Sequence, residues 1–184
     1  MHHAFEELLG FHCGPALAGI KPANLVSVSR EEYPDLHTLT EEYGRMLHEA
    51  GLRFKLICGC GKRFLLLVYR EARLRAQLEE PEISAILSEA GYPDRFEDRL
   101  AHLEVRLTSG EFPHEIGAFL GYPARDIRGF QQDKGKGCLY SGLWKVYDDV
   151  EGAIARFARY ERCRDCICRH LKQGKTLTQM FRVA

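Results

Sequence analysis

An α+β fold, a small and mostly antiparallel sheet covered by helices, is the class that this sequence predicts, on three observations. Strand-like runs are few and short, and two of them flank a tight glycine turn, which favours antiparallel pairing. Apolar residues elsewhere recur at spacings of three and four, the period of a helix with one buried face. Proline and glycine sit at the starts and stops of those periodic stretches. About four strands and roughly eight or nine helices follow, in a single domain over residues 1–184.

Taken in order, residues 5–9 form a short apolar helix that Gly10 stops. Pro15 then marks the first turn of a helix over 16–20, which sets Cys13 just ahead of a helix start, where the dipole favours a thiolate. Ala16, Ala18 and Gly19 are small enough for a backbone or ligand to come close. Residues 24–29, with Val26 and Val28, read as a strand, and 34–50 as a helix ended by Gly51. Strands at 53–58 and 63–69 are joined by Gly59-Cys60-Gly61-Lys62. The second is apolar on nearly every residue, as a central strand covered on both faces would be.

Helices follow at 71–79, 82–90 and 96–107. Pro113 suits a first helical turn, with Ile116, Phe119 and Leu120 on one face and Gly121 as the stop. Pro123 opens another helix carrying Ile127 and Phe130, and residues 131–137 read as a surface loop. A strand over 139–147 holds the single tryptophan. A helix over 150–173, broken by Gly174, and a short one over 176–181 complete the chain.

Composition excludes several function classes. Lys plus Arg and Asp plus Glu cancel at 26 each, so no overall field draws the chain to nucleic acid or an anionic membrane. The longest apolar run, 64–69, is far too short to span a bilayer, and no signal peptide precedes the first amphipathic segment. A cytoplasmic protein is expected. Seven cysteines in such a chain point to thiols or metal ligands rather than a disulfide scaffold.

Three stretches carry a resemblance. They are His12-Cys13-Gly14-Pro15-Ala16-Leu17-Ala18-Gly19-Ile20-Lys21, residues 112–122 with Asp126, Gly129 and Phe130, and Gly142-Leu143-Trp144-Lys145-Val146-Tyr147. In this order, over about residues 8–183, the chain resembles the bacterial family catalogued as domain of unknown function 3793. The resemblance implies no mechanism.

Four groups of residues are candidates for chemistry. Cys13, beside His12, is either a thiolate nucleophile or soft ligand for metal or haem, or a small buried residue at a helix cap. His114 and Glu115 are either a general acid–base or metal-ligating pair, or a loop contact and a favourable charge at a helix start. Cys163 and Cys166 form one half of a possible zinc or iron–sulfur site, and Cys58 and Cys60 the other. Against the cluster stand the long separation and the helical pattern around Cys163, which alone of the set fits the family pattern. Lys21, Arg70 and Lys145, with Tyr122 and Trp144, would line an anion pocket if they converged. Singly they read as solvated cations and core aromatics.

The leading expectation is a small-ligand- or cofactor-binding protein, extending to a small thiol- or metal-dependent enzyme. Its pocket would lie between the 12–21 turn and the 113–122 helix, and it would act on a small molecule or a redox protein. The alternatives are a non-catalytic adaptor for a redox or metal-handling partner, recognisable by an exposed apolar patch, and a cysteine-ligated zinc or iron–sulfur protein.

Overall fold

A computed structural model describes residues 2–57, 62–109 and 112–181. The fold is α+β, and the chain divides into two compact units, Met1–Arg73 with Tyr160–Ala184, and Leu74–Arg159.

The first unit is built on a three-stranded antiparallel sheet of order β1-β3-β2, from β1 (Ala23–Ser29), β2 (Leu52–Ile57) and β3 (Arg63–Arg70). The nearly unbroken apolar run of β3 takes the centre, with Leu66, Leu67 and Val68 fully buried. Ala23 faces Tyr69 on one flank, and Leu52 faces Arg70 on the other. Helix α1 (His2–Leu17) lays Phe5, Leu9, Cys13 and Leu17, spaced by four, into the core. Helix α2 (Leu36–Met46) adds Leu36, Leu39 and Tyr43. Ile167 and Leu171 of α8 (Val150–Lys172) and Leu177 of α9 (Leu177–Phe181) close the same cluster.

The second unit is helical, with α4 (Pro81–Glu89), α5 (Phe96–Thr108), α6 (Ile116–Phe119) and α7 (Ala124–Asp133), most of α3 (Glu71–Glu79) and the first part of α8. It also holds a small hairpin, β4 (Tyr140–Ser141) with β5 (Lys145–Val146). No helix among the described residues is long and apolar enough to cross a membrane.

Five expectations are corrected. Gly10 does not stop a helix and Pro15 does not start one, because α1 runs unbroken through both. An interior proline removes the bond to the Phe11 carbonyl and costs about 3 kcal/mol. Complete burial of Leu9, Cys13, Ala16 and Leu17 on the same helix offsets that cost. Gly10 is there for closeness: a methyl group on it would lie 2.6 Å from the Leu171 side chain. Pro113 precedes rather than opens its helix, which is a single turn from Ile116. The long strand over 139–147 is two short strands, and the loop expected at 131 begins only after Asp133, where Lys134 adopts φ 48°. The turn carrying Cys58 and Cys60 lies outside the described residues.

Two glycines let the hairpin and its neighbours pack closely. A Cβ on Gly129 of α7 would sit 2.4 Å from Cγ of Tyr147, and one on Gly142 would sit 2.2 Å from Cε2 of Phe157. Gly129→Ala sets a gain in helix propensity of about 1 kcal/mol against a clash of about 1–3 kcal/mol. The clash involves ring atoms next to the backbone, so net destabilisation is expected, read as a lower urea midpoint at unchanged slope. An unchanged or higher midpoint would contradict this packing.

Candidate functional site

In the second unit the chemistry gathers at the start of α7. Its N-cap residue, Pro123, offers no capping side chain to the leading amides. Asp126, in the first turn and 4% exposed, uses both carboxylate oxygens elsewhere. Oδ2 accepts the Trp144 indole N–H at 2.7 Å, and Oδ1 accepts the Tyr147 backbone N–H at 2.8 Å. Trp144 in turn stacks on Tyr122 with ring centroids 4.7 Å apart and meets the Phe157 ring edge-on at 4.4 Å. Beside this stack lies a cavity of about 380 Å³, walled by the 121–126 stretch, Glu80, Glu82, Asp148, Asp149 and Arg156. Arg125 donates to Asp148 at 2.8 Å, and Arg156 lies 3.9 Å from Asp149.

His114 and Glu115 part company. His114 is exposed, its ring edge-on to Phe130 at 5.0 Å. Glu115 is buried at 4% exposure, accepting from Arg106 at 3.0 Å and from the Tyr92 hydroxyl at 3.3 Å. Burial and the neighbouring carboxylate push the Tyr92 phenol well above its ordinary range. Glu115 makes no capping bond, so the expected cap is an ion pair between α5 and the approach to α6. Lys145 reaches across its own hairpin to donate to Ser141 at 2.9 Å.

The first unit holds His12, Cys13, Lys21 and Arg70. Cys13 falls near the end of α1, where the dipole opposes a thiolate, and it is completely buried. Burial pushes its thiol up to about 12, and the Lys21 charge offsets only part of that. No helix start therefore activates Cys13 as a nucleophile. Lys21 is pulled down to about 8 by its own burial, with its Nζ 6.0 Å from the Tyr160 ring centre. Arg70 donates to the carbonyls of Leu17 and Ala50, closing the end of α1 rather than facing a ligand. Gly19, at φ 69°, lets the chain turn beside that guanidinium. His12 is exposed, against the Phe11 ring.

Cys163 and Cys166 line a groove of about 620 Å³ with Ala18, Ile167, His170, Met180 and Phe181. Cys168, two residues after Cys166 and so on another face of the helix, is not on its wall. Among the described residues, no group of three or more His, Cys, Asp or Glu side chains is placed to hold a metal ion. Cys58 and Cys60 lie outside those residues. The candidate residues thus fall in separate sets, Cys13, Lys21 and Arg70 in one unit and His114, Glu115, Tyr122, Trp144 and Lys145 in the other. Sequence reasoning gave no role to Asp126, Arg106, Tyr92 or His170. Asp126 stood among the residues that carry the family resemblance, without a role, and His170, four residues after Cys166, left a signal in its spacing.

A family model described as a protein of unknown function (DUF3793) matches residues 9–181. No curated protein and no solved structure matches the chain.

Removing the Asp126 carboxylate strands one buried donor, the Trp144 indole, and one half-buried donor, the Tyr147 amide. Asp126→Ala should cost about 2–5 kcal/mol in urea unfolding and shift the emission of the single tryptophan. Loss of less than about 1 kcal/mol would show that the two bonds contribute little.

A second expectation concerns pH. Lys21 keeps its proton to about 10.5 when unfolded and loses it near 8 when folded. The unfolded chain thus binds more protons in that window, and stability rises with pH. Cys13 acts in the opposite sense, holding its proton to about 12 when folded and only to about 9.0 when unfolded. The pair should give a rise from pH 8 to 9, cancellation up to pH 10.5, and a fall towards 12. Lys21→Met should abolish the rise in urea melts at pH 8 and 9, and an equal rise in that variant would assign it elsewhere.

Proposed function

On the premise that the chain belongs to the DUF3793 family, whose model spans residues 9–181, we propose that it binds a small zwitterionic ligand, of the size of a free amino acid, in the cavity at the start of α7. The observation that carries this reading is that the cavity is walled by the stretch 121–126 and brings both signs of charge together. The uncapped start of α7, with Arg125, suits a carboxylate. Glu80 and Glu82 suit an ammonium group, and the Tyr122 ring, backed by Trp144, offers an aromatic wall. A volume of about 380 Å³ lies at the small end of ligand sites.

An adaptor role finds support in Leu139, Leu143 and Ile154, all exposed in this unit. That reading expects no polar-lined cavity, and the unit has one, so ligand binding ranks first.

Calorimetric titration with a panel of free amino acids, acetate and a primary alkylamine tests the proposal. At least one amino acid should bind more tightly than about 1 mM, and both single-charge compounds should bind more weakly. Arg125→Gln and Glu82→Gln should each weaken it by roughly tenfold, about 1.4 kcal/mol. Failure of every amino acid, or binding indifferent to both substitutions, would overturn it.

A further inference from the structure

Residues 163, 166 and 170 put a thiol, a second thiol and an imidazole at positions i, i+3 and i+7 of α8, which is one helix face. All three line the groove of about 620 Å³, whose other walls include Met180 and Phe181. The two thiols differ in surroundings. Cys166 is exposed, with its Sγ 3.9 Å from His170 Nδ1, a nitrogen able to accept its proton. Cys163 is half-buried, and its S–H donates to the Gly14 carbonyl at 3.7 Å, a contact that favours the protonated thiol.

We propose that this face is a thiol–disulfide exchange site for small disulfides, with Cys166 as the attacking thiol, His170 as its base and Cys163 as the resolving thiol. His170 takes the Cys166 proton, and the thiolate attacks one sulfur of a substrate R–S–S–R. The substrate S–S bond breaks, a Cys166–S–S–R bond forms, and the departing thiolate takes the proton from His170 as R–SH. Cys163 then attacks Sγ of Cys166, releasing a second R–SH that carries the Cys163 proton. The substrate disulfide is reduced by two electrons, and the protein dithiol is oxidised to a Cys163–Cys166 disulfide.

A spacing of three within a helix holds Cβ atoms about 5–6 Å apart, and a relaxed disulfide prefers about 3.5–4.5 Å. Closing the bond therefore stresses that turn, so the oxidised form is readily reduced and suited to turnover. Cys168, off this face, has its thiol pushed up by burial, which leaves it a poor nucleophile.

Reduced protein is treated with oxidised glutathione, then followed by intact mass, released glutathione and peptide mapping. Wild type should release two glutathiones per chain and yield a Cys163–Cys166 disulfide. Cys163→Ser should release one and keep the other bonded to Cys166, and Cys168→Ser should leave both stages unchanged. His170→Gln should slow the first release at pH 7 by roughly tenfold and recover the wild-type rate at pH 9.5, where solvent hydroxide replaces the imidazole as base. The proposal is overturned if the adduct in Cys163→Ser maps to any other cysteine. It also fails if wild type keeps its mixed disulfide unresolved, or if His170→Gln is equally slow at both pH values. The wild-type mapping needs no variant, so it decides even if a substitution fails to fold.

Discussion

The candidate site depends on one buried carboxylate and the two donors it holds. Asp126 belongs to a helix start and would be costly to bury alone, yet the Trp144 indole and the Tyr147 amide satisfy both oxygens. The hairpin is thereby tied to α7, and Trp144 becomes a fixed wall for Tyr122. Gly129 and Gly142 complete this arrangement by what they lack, since a side chain on either would meet an aromatic ring. Asp126, Gly129, Gly142, Trp144 and Tyr147 thus form one packing device, and Asp126 is the member of it that reaches the cavity wall.

The first unit handles buried charge differently. Arg70 directs its guanidinium to the carbonyl of Leu17, which the end of α1 would otherwise leave without a donor, and to that of Ala50 in the turn before β2. Lys21 and Cys13 lie in the interior and shift towards their neutral forms, so this stretch owes its character to packing rather than to an activated sulfur. Gly14 fits the same account, since a Cβ there would lie 3.3 Å from the Arg164 backbone of α8.

Periodicity made most of the fold legible. The apolar run 63–69 announced a central strand, and Leu36, Leu39 and Tyr43 announced α2 and its buried face. Proline misled twice, for related reasons. A proline is compatible with a helix start, but at residue 15 burial of the flanking side chains carries α1 past it. At residue 113 the chain does not begin its turn until Ile116. The strand over 139–147 failed because its β character belongs to residues packed on helices, with only four of them paired as strand. Asp126 was invisible as a site residue, because its partners lie 18 and 21 positions away and nothing local marks them. Cys163 and Cys166 were legible as neighbours on a helix face, whereas Met180 reaches their groove only through the tertiary fold.

The strand order β1-β3-β2 leaves the sheet with two outer borders, each a potential template for a foreign strand. On β2 the long charged side chains of Arg53, paired with Glu71 at 2.9 Å, and Lys55 stand on the strand, and charged side chains on an edge strand disfavour pairing with another strand. On β1 the guard comes from the adjoining strand. The Arg63 guanidinium spans to Ser27, donating to its hydroxyl at 2.6 Å and to its carbonyl at 2.8 Å. An acceptor that an intruding chain would need is already occupied, so one arginine serves as a safeguard against edge-to-edge aggregation.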